Sequence, residues 1–292
     1  MVVGIGEILW DIFPEGRRLG GAPANFSFHA QSLGAQGVIV SRVGNDLPGY
    51  EILRKLKSAR LDPGYISVDS NHPTGQVTVS LDGQGIPSFI IHEQAAWDYL
   101  EFTPELEALA QKADAVCYGS LGQRSSVSGE TIRQFLKKTM PDCIRVLDIN
   151  LRHPFIDEDH IRHLLQCSHV LKLNTEELKA LSKMLSLEGA ESEILASLLR
   201  RFPLTLVALT KGELGSRLYA WEEDSIQSGF PVEVVDTVGA GDAFTAALVI
   251  GLLKRKPLSR INYTANKIAS FVCAHQGAWV EYPKSHSKDF DL

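Results

Sequence analysis

The chain alternates short apolar runs rich in β-branched residues with longer amphipathic stretches. Val2–Ile8, Gly37–Val40, Ala115–Tyr118, Ile144–Ile149, Val170–Leu173 and Leu204–Leu209 read as strands covered on both faces. Helical patterning falls between them, over Ala24–Leu33, Glu105–Ala110, Val127–Lys138, Asp157–Gln166 and Glu188–Arg200. Pro23 and the pair Thr103-Pro104 supply start signals for two of these helices. Such alternation predicts an α/β fold, a doubly wound and mostly parallel sheet flanked by helices.

One stretch departs from that rhythm. Gln76–Leu81 and Ile86–Ile91 are strand-like runs joined by Asp82-Gly83-Gln84-Gly85, a hairpin signal. A hairpin fits poorly inside a parallel sheet, so it is expected either to project as a flap, with Phe13–Leu19 beside it, or to lie idle at an edge. The last residues, Lys284–Leu292, read as a loose tail.

Composition narrows the function classes. In 292 residues, 29 Lys and Arg face 35 Asp and Glu, a net charge of -6 that leaves no basic footprint for a nucleic-acid backbone. No apolar run has the length of a membrane span, and the first residues lack a signal-peptide pattern. Cys117, Cys143, Cys167 and Cys273 are scattered with no CxxC pair, which predicts free thiols and a cytoplasmic protein.

The segment with most chemistry is Asp236-Thr237-Val238-Gly239-Ala240-Gly241-Asp242-Ala243-Phe244. It follows a strand-like run, Val232–Val235, and leads into a predicted helix over Ala243–Leu253. Glycines at the start of a helix leave backbone N–H groups open to an anion, and Asp242 in the first turn is placed to take a proton from an attacking hydroxyl. The alternative is a tight turn with an Asp favoured there by the helix dipole. Gly20-Gly21-Ala22-Pro23-Ala24-Asn25 is a second glycine-led helix start, with one amide side chain suited to hydroxyls. Asp11 closes the first strand region, where ligands bind in open α/β sheets.

Asn174-Thr175-Glu176-Glu177 has capping-box spacing at the end of a strand, and equally places polar groups near phosphates or a hydrated Mg²⁺. Thr210-Lys211-Gly212-Glu213-Leu214-Gly215 follows another strand and either turns the chain or receives a nucleotide. Asp148, Asn150 and Arg152 alternate at a strand end, on one face. The sequence has no P-loop, HExxH, GxSxG or GxGxxG motif of the kind that marks other enzyme classes.

Taken in order, Gly20–Asn25, Asn174–Glu177 and Asp236–Phe244 resemble the two signature regions and the NxxE motif of the PfkB (ribokinase-like) carbohydrate kinases, over roughly Gly4 to Pro283. The resemblance implies an ATP-dependent kinase in one domain spanning 1–292, with lid segments near 12–19 and 73–95. It implies Asp242 as catalytic base and Gly239, Ala240 and Gly241 as the anion hole. Asp11, Gly21 and Asn25 then match sugar contacts, with Arg152 also facing the substrate. Asn174, Thr210, Gly212, Gly215 and Asn266 match nucleotide contacts, and Glu177 matches a Mg²⁺ residue acting through water. A monovalent-cation (K⁺) loop would fall at Asp236–Thr237 and Val272–Gly277, with Glu281 where Ser is frequent. A lid pairing across subunits would give a homodimer.

Gly6-Glu7-x-Leu9-x-Asp11 and Gly21–Asn25 are more similar to fructokinases than to ribokinases, which makes fructose the expected acceptor. The alternatives are 2-keto-3-deoxygluconate, ribose or a nucleoside; a sugar acid would call on Arg124 or Arg152. A catalytically silent sugar- or nucleotide-binding regulator is the reading from another class.

Overall fold

The computed structural model describes residues 1–81, 87–152, 154–155 and 157–282. The predicted turn Asp82–Gly85 and the predicted tail Lys284–Leu292 lie outside the described residues. The main sheet takes strands β1 (Val2–Ile5), β4 (Gly37–Gly44), β5 (Ile66–Asp69), β8 (Ala115–Tyr118), β9 (Ile144–Asp148), β10 (Val170–Asn174), β11 (Leu206–Thr210), β12 (Ser216–Tyr219) and β13 (Asp224–Gln227). The second sheet takes β2 (Leu9–Phe13), β3 (Gly16–Gly20), β6 (Gly75–Leu81) and β7 (Pro87–Ile91). The helices are α1 (Ala22–Ser32), α2 (Leu47–Ser58), α3 (Pro104–Ala110), α4 (Ser126–Lys138), α5 (Glu158–Gln166), α6 (Thr175–Met184), α7 (Glu191–Arg201), α8 (Ala240–Leu253) and α9 (Leu258–Cys273).

The main sheet runs β13-β12-β11-β10-β9-β8-β1-β4-β5, parallel from β11 to β5, with β12 and β13 antiparallel at one edge. Its central strands, such as β1, β8 and β11, are largely apolar because neighbouring residues serve different cores. Val3, Val116, Tyr118, Leu147 and Leu171 point into one core, which Phe135 of α4, Leu164 of α5, Leu181 of α6 and Leu198 of α7 complete. Val2, Ala115, Cys117, Val146 and Val170 point into the other, against Phe26 of α1, Leu248 of α8 and Ile261 of α9. Each fully buried side chain of this size contributes about 1.5–3 kcal/mol, so two-sided burial fixes the strands firmly. Cys117 and Cys143 are buried free thiols, while Cys167 and Cys273 are half-buried and also free.

The second sheet runs β3-β2-β6-β7, with β2 parallel to β6 and the outer pairs antiparallel. It unites the two segments that broke the rhythm of the sequence. The first apolar run does not continue as one strand: β1 ends at Ile5, the chain crosses over Gly6-Glu7-Ile8, and Asp11 sits within β2 of the second sheet, opposite Arg18. Asp11 is therefore not at the end of a main-sheet strand. The run Val232–Val235 forms no strand either; it is an exposed irregular segment. Its β-branched residues carry a strand signal, but Val232 and Val234 line a cavity and Val235 N–H donates to the Cys273 carbonyl at 2.9 Å.

Trp10 and Leu19 of the second sheet pack into a core with Phe28, Ile39, Ile52 and Leu56, and polar contacts add to that hold. The buried Trp10 donates its indole N–H to the Pro48 carbonyl at the start of α2 (3.0 Å). Asp46 caps α2 through Gly49 N–H (2.8 Å) and also accepts from the Thr74 backbone N–H (2.9 Å) and hydroxyl, just before β6. Asp46→Ala removes a helix cap and unpairs Thr74 together. It is expected to destabilise the protein by about 2 kcal/mol in urea unfolding, above the roughly 1 kcal/mol of a cap alone.

Candidate active site

The carboxyl ends of the parallel strands and the second sheet enclose a cleft of about 570 Å³, lined by Glu7, Asp11, Gly21, Asn25, Asp148, Asn150, Arg152 and Asp242 among others. Phe13, Val77, Phe89 and Ile91 of the second sheet add an apolar side. A neighbouring cavity of about 830 Å³ is bounded by Thr210, Gly212, Gly215, Ala240 and Asn266, with Phe230, Pro231, Val232, Val234 and Phe244 as an apolar wall. Lys172, Asn174, Thr237 and Gly241 line both, so the two chambers meet at the start of α8.

The geometry of that start follows from its glycines. Gly239 caps α8 in the left-handed region (φ 81), and a Cβ there would lie 2.7 Å from the Ala278 backbone. A Cβ on Gly241 would lie 3.0 Å from Lys172 Nζ, so the bare backbone lets the ammonium approach the helix mouth. The first helical bond is Ala243 N–H to Gly239 O (2.9 Å), which leaves the Gly241 and Asp242 amides ahead of the helical ladder. Ala240 N–H folds back to the Thr237 carbonyl at 3.3 Å. Of the expected trio Gly239, Ala240 and Gly241, the amide of Gly241 is thus better placed as an anion donor than that of Ala240.

Asp242 is pushed up to about 7, chiefly by burial and then by the Asp148 charge. The Asn25 amide, which donates to Asp242 Oδ2 at 2.8 Å, and the Lys172 charge pull against that rise, while Glu7 adds to it. Lys172 is paired with Asp148 (3.0 Å), whose other oxygen accepts from the Thr245 hydroxyl (2.9 Å). Burial disfavours the charge on Lys172, but Asp148, Glu177 and Asp242 outweigh it and raise its pKa. A firmly charged lysine thus stands where the chambers join.

Asp11 is raised to about 6 by burial, against the pull of Arg152 and Arg18. Asn150 turns the chain in the left-handed region (φ 39), so Asp148, Asn150 and Arg152 reach one cleft through a loop rather than by strand alternation. Arg152 does not pair with Asp148, which is committed to Lys172. The Arg124 guanidinium is also committed: it forks onto Asp98 (2.7 and 2.8 Å), donates to the His92 carbonyl (2.6 Å) and covers the Trp97 ring at 4.1 Å. Its Nη1 is buried without a partner, and Arg124 does not line the cleft.

Gly21 precedes α1 as its cap, and Asn174 and Glu177 form the expected capping box (2.8 and 2.9 Å) at the start of α6. The second Glu177 oxygen accepts Leu151 N–H (3.1 Å). Both carboxylate oxygens thus hold backbone, and Glu177 lines neither chamber, whereas Asn174 lines both. Among the described residues no cluster of three or more His, Cys, Asp or Glu could cage a metal. A Mg²⁺ ion would be held here by Asn174 and Glu177 through their polar groups and would supply charge neutralisation for a nucleotide's phosphates. Thr210 donates its hydroxyl to the Leu173 carbonyl (3.3 Å), and the Asn266 amide donates to Ser216 Oγ (2.6 Å), so both are held in place at the cavity wall. At the expected K⁺ loop, Asp236 accepts Val238 N–H (3.1 Å), Gly277 N–H (3.0 Å) and the Arg18 guanidinium (3.0 Å). Arg18 already supplies the positive charge a K⁺ ion would bring, so Asp236 does not fit as a free cation ligand.

Three site residues carry weak signals in the sequence. Lys172 lies within the apolar run Val170–Leu173, where a lone lysine was the available clue. Glu7 lies in the crossing between sheets. Trp279, whose indole N–H donates to Asn25 Oδ1 (2.9 Å), sits in an irregular segment after α9 with no local pattern to mark it.

A buried carboxyl beside unpaired helix amides, between a polar and a partly apolar chamber, is compatible with phosphoryl transfer to an alcohol. The chain belongs to the pfkB family of carbohydrate kinases, whose profile matches residues 15–284. A protein of Pyrococcus horikoshii described as an uncharacterized sugar kinase is 30% identical, over 96% of this chain and 92% of that protein. Its ATP complex superposes with a TM-score of 0.83, at 28% identity and over 98% and 96% of the two chains. The fructokinase of Escherichia coli is 26% identical over 96% of this chain and 95% of its own length. The fructokinase of Vibrio cholerae, solved with fructose, ADP and calcium, shares the fold with a TM-score of 0.83 at 24% identity, over 99% and 98% of the chains. This protein is accordingly an ATP-dependent sugar kinase.

Glu7 provides a pH test of the cleft. Burial raises its pKa to about 7, against the pull of its own and the Ala22 amides, Arg152 and Arg124, and its Oε2 is buried without a partner. A carboxyl raised in the folded state contributes stability that is full below its unfolded pKa and lost as pH rises through about 7. Between pH 5 and pH 8, Glu7→Gln is therefore expected to gain about 2–3 kcal/mol relative to the wild type, read as the change in their unfolding difference. A difference independent of pH would contradict the raised pKa.

Proposed function

We propose that the protein phosphorylates fructose, with the sugar in the acidic cleft and ATP in the neighbouring cavity. The observation that carries this reading is Asp242, a buried carboxyl raised to about 7 at the junction of the chambers. Its ionised form takes the proton of the attacking hydroxyl, whose oxygen forms a bond to the γ-phosphorus as the bond to ADP breaks. A base titrating near neutrality combines a useful ionised fraction with the strength to accept that proton. The Gly241 and Asp242 amides and the Lys172 ammonium face the charge spread over the transferring group. Mg²⁺, when bound with the nucleotide, would supply charge neutralisation for the phosphates, with Asn174 and Glu177 as the residues that would hold its water shell.

Asp11, Gly21 and Asn25 are assigned to the sugar hydroxyls. Asn174, Thr210, Gly212, Gly215 and Asn266 are assigned to the nucleotide, and the wall around Phe244 suits a flat base. We assign the second sheet as a lid that limits transfer to water. A neutral sugar is favoured over a sugar acid by the charges in the cleft. Arg152 is its exposed cation, while Glu7 and Asp11 already lie in the Arg152 field and Arg124 is bound to Asp98. The fructokinase relatives favour a ketohexose among neutral sugars.

ADP release with Mg²⁺ATP should be measured with fructose, ribose, 2-keto-3-deoxygluconate, adenosine and no acceptor. Fructose is expected to give the highest kcat/KM, by about tenfold or more, on the scale of one or two well-made hydrogen bonds. A higher kcat/KM for the sugar acid would instead assign Arg152 as a carboxylate clamp and overturn the fructose reading.

A further inference from the structure

The segment after α9 contains a strap that touches three parts of the site. Gly277 N–H donates to Asp236 ahead of the anion turn (3.0 Å). Ala278 packs against Gly239 and accepts a hydrogen bond from His29 Nε2 of α1 (2.9 Å). Burial lowers His29 to about 4, so the ring is neutral; its Nδ1 then accepts from the Tyr282 hydroxyl (2.7 Å). Trp279 stacks on Phe28 of α1, with centroids 4.6 Å apart and planes 13° from parallel, and donates to Asn25 Oδ1.

The Trp279–Asn25 bond has a consequence for the reaction. A side-chain amide has a donor end and an acceptor end of nearly the same shape, and indole N–H can only donate. With Oδ1 held by Trp279, the NH₂ end must face Asp242, where it donates to Oδ2 at 2.8 Å. Reversed, the amide would set its oxygen against the Asp242 carboxylate and its NH₂ against the indole N–H, two repulsive contacts within a nearly buried group. We propose that Trp279 is a positioning residue that fixes the polarity of the Asn25 amide and so keeps Asp242 a competent base. This inference rests on the assignment of Asp242 as base.

The groups around Asp242 leave room for that effect. Asp148 on β9 and Glu7 in the crossing after β1 oppose its charge, Lys172 on β10 favours it, and the Cys117 thiol on β8, itself raised by burial, stays neutral. The Asn25 bond on α1 is the hydrogen bond that favours the ionised form, and it is the one Trp279 orients. One N–H and one lone pair of the amide remain for a sugar hydroxyl, so orienting it also presets the sugar contact.

The test is the pH dependence of kcat/KM for the accepted sugar at saturating Mg²⁺ATP, in wild type and Trp279→Phe. The phenylalanine keeps an aromatic ring against Phe28 and removes the donor. The acid limb is expected near pH 7 in the wild type and higher by about half a unit to one unit in the variant, with kcat/KM at pH 6.5 lowered roughly three- to tenfold and converging above pH 8.5. In an Asn25→Ala background the same substitution should leave the limb where it is, because no amide remains to orient. Replacing Trp279 by 3-benzothienylalanine, in which sulfur takes the place of the indole N–H, repeats the test with the ring shape kept, should the phenylalanine variant fold poorly. An unshifted limb, a loss equal at every pH, or a shift that persists without Asn25 would each overturn the role of Trp279. A wild type with no ionisation near pH 7 would instead remove the base assignment on which it rests.

Discussion

A carboxyl buried at the mouth of a helix is costly to ionise, and much of the site is arranged around the partial ionisation of Asp242. Burial and the neighbouring Asp148 push against its charge, while the Asn25 amide and Lys172 favour it, and the balance falls near 7. Lys172 in turn is tolerable inside the protein because Asp148, bonded to Thr245 of α8, answers its charge. Removing any one of these groups leaves another buried charge or donor without its partner. The arrangement is therefore cooperative, joining β9, β10, α1 and α8 at a single point.

The fold brings these groups together through the two-sided burial of its strands. Because Val146 and Leu147, or Val170 and Leu171, enter opposite cores, the strand backbones are clamped between helix layers, and polar side chains appear where the strands end. Asp148 and Asn174 close β9 and β10 on the same side, and α8 starts beside them. The second sheet is joined to this body through a shared core, in which Trp10 and Leu19 pack with Phe28, Ile39 and Ile52, and through the polar links Trp10 to Pro48, Asp46 to Thr74 and Arg18 to Asp236. The Arg18–Asp236 pair ties β3 directly to the turn that precedes α8.

Much of this was legible in the sequence, for a physical reason: strands buried on both faces leave uninterrupted apolar runs, and a helix that opens onto an anion needs glycines at fixed places. Thus β8, β9, β10 and the start of α8 were found close to their true positions. The failures share a cause as well. Val232–Val235 has the composition of a strand but forms a cavity wall, because β-branched residues serve either end and only tertiary pairing decides. The run from Val2 to Ile8 gave no sign that the chain changes sheets at Gly6, since both sheets bury its residues. Arg124 looked available to a substrate until Asp98, 26 residues away, was seen to hold it. Trp279 lies 254 residues from Asn25, and its importance comes from a contact that no local pattern encodes.

The central claim is that Asp242 moves the proton while the helix mouth and Lys172 hold the phosphoryl group. Asp242→Asn tests it most directly, because the amide keeps the shape of the site and cannot act as a base at neutral pH. Calorimetric titration with Mg²⁺ATP should give a dissociation constant within about threefold of the wild type, while sugar-dependent turnover falls by roughly three orders of magnitude or more. Turnover within about tenfold of the wild type, at unchanged nucleotide affinity, would contradict the account and move the proton acceptor to another group.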